Sequence, residues 1–380
     1  MNNMKISLHK PYWGKEESRI VADSLKKSNG VGDGLYTKRL DDVIKRLTHS
    51  SYVFAVPSCT HGLELACRVM GIGIGDEVIV PGFTLSSSAN CVVLTGARPV
   101  FADIEENTYC IDPKSIIQLI SKKTKGIIVV HYAGMPCRME EIQSIAKQHK
   151  LFIIEDAAHC IGAYYKGKML GTIGDVGVYS FHGTKNICSG EGGMVVTNNK
   201  KLVEKMDIFR ANGTNRSAFL DHRVALYTWV GLGSSYLLSD LLAALLIAQL
   251  KKLIIITKKR TAIAHRYTKS FLSYPGVHVP TVPRGALPNW HIYAIRFDKP
   301  TIAKQFTQYM NEHNISAVRH YVPIHTSPMG RELSGKLHRP LPVVERVAET
   351  LVRLPIYPGL SKKQIERVIK VSTKAFALFI

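Results

Sequence analysis

The sequence predicts an α/β fold: a large, mostly parallel sheet covered by helices, followed by a smaller α+β unit. Three observations carry this. Short, continuously apolar runs recur along the first half of the chain, as in Tyr52-Val-Phe-Ala-Val and Leu151-Phe-Ile-Ile. Strands lacking polar alternation are those buried on both faces, which is the condition inside a parallel sheet. The runs are separated by helix-length segments, the spacing of strand–helix–strand units. Beyond residue 250 the pattern changes to isolated strands among long helices.

In order, residues 15–28 read as a helix, and Gly30, Gly32 and Gly34 make a flexible loop after it. Residues 52–57 are a strand that turns through Ser58-Cys59-Thr60-His61-Gly62 into a helix reaching residue 70. Residues 75–81 are a turn and strand, and 83–90 open the next helix. Segments 99–104, 113–121, 126–131, 139–150 and 151–155 continue the alternation of strand and helix. Residues 176–181 and 194–196 are strands on either side of a polar, glycine-rich loop. A helix covers 200–210 and a polar loop 211–217. One long helix is expected from about 239 to 271, with apolar positions at three- and four-residue spacing. It marks the hand-over between a large domain, 1–250, and a small one, 251–380. The small unit holds a strand over 290–297, a helix near 301–313, an irregular stretch 317–325, and helices near 343–353 and 361–376.

Composition narrows the function. With 380 residues and 46% hydrophobic content, the chain can bury a large core. Lys and Arg number 50 against 29 Asp and Glu, a formal net charge of +21 that draws anions. The basic residues lie dispersed in pairs, with no basic arm or aromatic-interleaved stripe, so nucleic acid is not the expected partner. The seven cysteines include no C-x-x-C pair, and neither a metal centre nor a redox motif is expected. Their contexts fit a reducing cytoplasm. The start lacks the apolar core of a signal peptide. The most apolar stretch, 236–256, is broken by Ser239, Asp240, Gln249, Lys251 and Lys252, so it reads as a buried helix rather than a membrane span.

Two strand ends carry the chemistry. One is Glu155-Asp156-Ala157-Ala158-His159, an apolar run ending in acids and a histidine. The other is Ser180-Phe181-His182-Gly183-Thr184-Lys185-Asn186. Ligands gather at the carboxyl ends of strands in open α/β sheets. A lysine at the rim of a packed sheet can be dry enough to attack carbonyls. A lone lysine after a strand is usually a solvated cation; the density of Gly, Ser, His and Asn around this one, and the acid on a second strand end, favour a shared pocket.

These two motifs, with Gly190-Glu191-Gly192-Gly193 after them, resemble the DegT/DnrJ/EryC1/StrS family of sugar aminotransferases over nearly the whole chain. The resemblance implies the type I fold of transferases that use pyridoxal 5′-phosphate (PLP), aspartate aminotransferase-like, with a seven-stranded sheet. It implies that Lys185 binds the cofactor aldehyde covalently and later moves a proton. Asp156 would pair with the ring nitrogen and His159 with the phenolic oxygen. Ser180, Cys59 and Thr60 would hold the phosphate, chiefly through the Thr60 hydroxyl and the two backbone amides. Where many relatives stack an aromatic on the ring, this chain has Leu85; either leucine covers the ring by apolar contact or another side chain does. An asparagine that reaches the partner subunit's cofactor in other branches is Leu237 here, with Ser234 or Ser235 as the substitute. Gly30, His182, Asn215, His320 and Tyr321 correspond to sugar-facing positions, and His325 lies in the same segment.

Gly213-Thr214-Asn215-Arg216-Ser217 and Tyr227-Thr228-Trp229 resemble one branch of the family, which aminates TDP-4-keto-6-deoxyglucose. In a sister branch of sugar 3-dehydratases histidine replaces the lysine, so Lys185 favours amino transfer. The resemblance thus implies a cytoplasmic homodimer with interfacial sites that transfers an amino group from L-glutamate to a nucleotide-linked 4-ketosugar for surface polysaccharide. Two alternatives stay open: another ketosugar or nucleotide, and a PLP-binding regulator that does not turn over.

Overall fold

The structure is a computed structural model that describes residues 5–335 and 338–380. Its centre is a seven-stranded sheet. The strands are β1 (Tyr52–Val56), β2 (Glu77–Pro81), β3 (Arg98–Ala102), β4 (Thr124–Val130), β5 (Phe152–Asp156), β6 (Val176–Ser180) and β7 (Gly193–Thr197). They lie in the order β1-β7-β6-β5-β4-β2-β3. β7 is antiparallel to both its neighbours, β1 and β6. The remaining pairings are parallel. All strands but β7 therefore end at one edge.

Side chains along β1 alternate between two cores. Val53 and Ala55 pack with the helix Asp240–Leu250, while Phe54 and Val56 pack with the helix Cys59–Val69. Apolar on both sides, such strands have no face to offer water, which is why they read as unbroken hydrophobic runs. The turn from β1 into Cys59–Val69 is fixed by Ser58, whose Oγ accepts from His61 N at 3.2 Å.

A second, four-stranded antiparallel sheet joins Val277–His278, Tyr293–Phe297, Leu351–Leu354 and Val318–Arg319. The N-terminal segment reaches it: Ile6 bridges to Ile315, and Ile356 N donates to Leu8 O at 3.2 Å.

The structure corrects the sequence reading at several places. The expected long helix is two, Asp240–Leu250 and Leu253–Phe271. The break follows Gln249, which is buried, with its amide donating to Tyr12 O and Glu17, while Lys252 pairs with Glu17 at 2.5 Å. This polar knot turns the chain where a continuous apolar helix was expected. The helix expected to run to 353 ends at Thr350, because Leu351–Leu354 pairs with Tyr293–Arg296 as a strand. A helix at Leu35–Thr48 escaped notice, although its buried Tyr36, Leu40 and Ile44 recur every four residues. Among the described residues no helix is long and apolar enough to cross a membrane.

At the end of β5, Glu155 and Asp156 face opposite sides of the sheet. Glu155 is fully buried and accepts from His131 Nε2 at 2.8 Å, from Gly171 N at 2.8 Å, and from the amides of Ile173 and Gly174. His131 Nδ1 accepts from Cys137 N, so its proton sits on Nε2. One carboxylate thus fixes the segments after β4 and before β6. Glu155→Ala leaves a buried ring N–H and several amides without an acceptor. We expect a loss of about 3 kcal/mol or more, read as a lower urea midpoint; a midpoint equal to wild type would contradict it.

Candidate active site

The common edge of the parallel strands borders a cavity of about 320 Å³. Its floor is Asp156, 5% exposed at the end of β5. Ser88 Oγ donates to Asp156 Oδ2 at 2.7 Å, and Ala158 N donates to Oδ1 at 3.1 Å. The Cys59 thiol reaches Oδ1 at 3.9 Å. Burial, then the Asp156 charge, push that thiol well above its ordinary pKa, so it stays a donor. Thr84 Oγ1 lies 2.8 Å from Ser88 Oγ. Since the Ser88 proton goes to Asp156, Thr84 donates to Ser88. Asp156 is therefore an acceptor held by neutral donors, with no ion pair among the described residues. A buried carboxylate in that condition is complete only when a cation joins it.

Lys185 approaches from the loop after β6. The loop is closed by Gly183 N to Gly190 O at 2.7 Å and Lys185 N to His182 O at 2.8 Å. Burial lowers the Lys185 amine below its ordinary value of 10.5; the neighbouring Cys59 and Asp156 oppose the shift and Arg353 adds to it. No hydrogen-bond partner for Nζ is present among the described residues, which leaves a desolvated amine free at the cavity.

His159 is buried at the wall. Ala133 N donates to its Nδ1 at 3.2 Å, so the proton sits on Nε2. Burial, the largest influence, holds the ring well below its ordinary pKa, hence neutral. Its ring lies 4.4 Å from that of His291, which is tied through Nδ1 to Asn186 Oδ1 at 3.0 Å. At the opposite end, the first-turn amides of Cys59 and Thr60 have no acceptor within their helix, and the helix dipole adds positive potential there. Ser180 lies beside them at the end of β6.

The cavity thus brings together Cys59, Thr60, Leu85, Asp156, His159, Ser180, His182, Lys185 and Tyr321. Leu85 is 55% exposed at the opening. Tyr321 takes a left-handed backbone, φ +44°, and stacks on His320 at 3.7 Å. His320 stands behind it, its Nδ1 hydrogen-bonded to the Tyr132 hydroxyl at 2.8 Å. Burial drives its pKa down to about 2. Gly30, Asn215 and Ser235 do not border this cavity. Gly30 O accepts from Ser239 Oγ at 2.9 Å. Asn215 closes the 211–236 loop on itself, bonding Leu226 O at 2.9 Å and Thr228 N at 2.8 Å. Ser235 is exposed, bridged to Ala211. His325 is buried elsewhere, against Glu345 at 3.0 Å.

Three residues near the site were not anticipated. Thr84 and Ser88 lie in a hydroxyl-rich stretch that was visible in the sequence. Arg353 was not visible at all. It sits on Leu351–Leu354 opposite Ala294 and Val318. Its charge adds to the lowered pKa of Lys185, His159 and His320, although it does not itself border the cavity. Its Nε is buried with no partner, and no ion pair satisfies it among the described residues.

Comparisons with known proteins place the chain in a family. Residues 11–372 match the DegT/DnrJ/EryC1/StrS aminotransferase family. The spore coat polysaccharide biosynthesis protein SpsC of Bacillus subtilis (strain 168) is 35% identical over 367 residues, 95% of this chain and 94% of its own. PseC of Helicobacter pylori, an aminotransferase involved in the biosynthesis of pseudoaminic acid, superposes with a TM-score of 0.92 at 26% identity, covering 99% of this chain and 100% of its own. The PMP form of the sugar aminotransferase Spr1654 of Streptococcus pneumoniae, described as putative, gives a TM-score of 0.89 at 25% identity, covering 98% and 99%.

PLP fits the residues present. Its aldehyde suits the free Lys185 amine, its cationic ring nitrogen the uncompensated Asp156, its phenolic oxygen the His159 Nε2–H, and its phosphate the Cys59–Thr60 amides with Ser180. The chain belongs to the DegT/DnrJ/EryC1/StrS family and is a PLP-dependent sugar aminotransferase of the type I fold.

Proposed function

We propose that this enzyme transfers the amino group of L-glutamate to C4 of a nucleotide-linked 4-keto-6-deoxyhexose, dTDP-4-dehydro-6-deoxy-D-glucose, in a cytoplasmic route to surface polysaccharide. The observation that carries amino transfer is the pairing of a desolvated, partnerless Lys185 with an acceptor-only Asp156 in one cavity. The choice of sugar rests on the branch motifs, which the fold gathers into one unit: Thr214 bridges to Trp229, and Asn215 clasps Leu226 and Thr228. The names of SpsC and PseC support a place in the making of surface sugars.

When bound, PLP supplies a carbonyl to carry the amino group and a protonated ring that accepts the electron pair left by a departing C–H proton. The chain's residues do the rest. Asp156, fixed by Ser88, Ala158 and Cys59, keeps a positive charge on the ring nitrogen favourable. Lys185 is unprotonated over a wider pH range than an ordinary lysine, so it can take a proton from one carbon and return it to another. The His159 Nε2–H is free to donate toward the cavity. We assign the carboxylate of the amino donor to Arg353, whose buried Nε has no partner among the described residues and whose planar fork matches a carboxylate bidentately.

The 211–236 loop exposes Trp229 (77%), Leu226 (75%) and Leu232 (68%), an apolar patch that suits a homodimer interface.

Incubation with ¹⁵N-glutamate and a panel of nucleotide ketosugars tests the reading. We expect ¹⁵N at C4 of the dTDP 4-ketosugar. Lys185→Ala should trap no borohydride-reducible PLP and lose roughly 10²–10⁴-fold in rate. Attachment of PLP to the wild-type apoprotein should rise with pH and level off below 10.5, because the amine is shifted down. A reducible adduct at another lysine, or ¹⁵N at C3 only, would refute the corresponding assignment. Arg353→Met should raise the KM for glutamate roughly 10- to 100-fold and leave the KM for the sugar unchanged, as loss of a charge-assisted pair requires. Equal effects on both substrates would contradict a carboxylate role.

A further inference from the structure

Residues 5–14 form a strap that crosses three parts of the molecule. Ile6 N donates to Asn314 O at 2.8 Å, and Ser316 N donates to Ile6 O at 2.9 Å. Ile356 N donates to Leu8 O, which holds the strap to the second sheet. Farther on, Gln249 Nε2 donates to Tyr12 O at 3.0 Å, and the Tyr12 ring lies 4.6 Å from Lys259 Nζ and 5.6 Å from Lys252 Nζ. His9 sits between these anchors, so its place is fixed from both sides.

His9 Nε2 lies 2.7 Å from the Gly183 carbonyl, 174 residues away in sequence. A carbonyl only accepts, so Nε2 carries the proton. Burial, the largest influence, lowers the His9 pKa, and the ring is neutral at pH 7.

Gly183 stands two residues before Lys185. Around it, the loop amides are spent within the loop: Phe181 N on Gly192 O, Gly183 N on Gly190 O, Lys185 N on His182 O, Ser189 N on Phe181 O. Downstream, Asn186 is tied to Asn289 O and His291. Among the described residues, the Gly183 carbonyl has His9 as its hydrogen-bond partner and no other. A backbone carbonyl two residues before the amine-bearing residue is therefore held from the N-terminal strap.

We propose that His9 is a positioning residue for Lys185. By fixing the Gly183 carbonyl, it sets the direction in which the lysine leaves the loop and narrows the range its amine samples. An amine aimed at one carbon loses rate steeply when its anchor loosens. The proposal rests on the aminotransferase reading only in taking Lys185 as the attachment point.

The test uses cofactor-stripped full-length protein and PLP, with attachment followed by absorbance and borohydride trapping. His9→Leu removes the donor; His9→Gln keeps an N–H near the same place. We expect His9→Leu to attach PLP roughly 10-fold more slowly and to lose kcat by a similar factor with the KM for the sugar unchanged, and His9→Gln to restore most of both. Thermal unfolding of each variant reports whether the fold persists. If His9→Leu does not fold, His9→Gln against His9→Asn, whose shorter arm leaves the carbonyl out of reach, makes the same comparison. A folded His9→Leu that matches wild type overturns the proposal. So does a His9→Gln as slow as His9→Leu, since packing rather than the hydrogen bond would then matter. If wild type itself attaches no PLP at Lys185, the aminotransferase reading fails instead, and the two failures are distinguished.

Discussion

A carboxylate buried among neutral donors is the constraint on which the site depends. Asp156 has taken every hydrogen bond that Ser88, Ala158 and Cys59 can give, and none of them brings a charge. Such a group is costly unless a cation completes it. The nearby Lys185 amine makes no ion pair with it, and burial lowers that amine's pKa. The protein thus sets an acid without an ion-pair partner and a desolvated amine in one cavity, an arrangement that suits a ligand bringing both a positive ring and a carbonyl.

The sheet makes this possible through the two-residue period of a strand. At the end of β5, Glu155 turns to one face, where His131 and the 171–174 amides consume it. Asp156 turns to the other, toward the cavity. Similar residue types, one position apart, become a structural hub and a chemical group. A shift of one residue in the register of β5 would exchange them. The parallel order brings the ends of β1, β5 and β6 to the same edge, so the start of the helix after β1, the acid and the amine come from separate parts of the chain.

Much of this was legible in the sequence, for physical reasons. The strands were visible because burial on both faces writes a continuous apolar run. Asp156 and Lys185 stood out as polar groups at the ends of such runs. What depends on contacts between distant residues was not legible. The apolar pattern of 239–271 reads as one helix, and only the meeting of Gln249 and Lys252 with Glu17 shows why it breaks. Arg353 looks like an ordinary strand residue until its missing partner is seen. Ser88 gave a partial signal, since a run of serines suggests a helix start more readily than an acid's donor. Asn215 matched a branch motif, and its visible work within this chain is to close a loop.

The central claim is that Asp156 awaits a cationic ring nitrogen. The direct measurement is the ¹⁵N chemical shift of ring-labelled PLP bound to the protein. A shift typical of a protonated pyridine at pH 7, moving to the unprotonated position in Asp156→Asn, is the predicted result. A ring nitrogen already unprotonated in the wild-type protein at that pH would contradict the account.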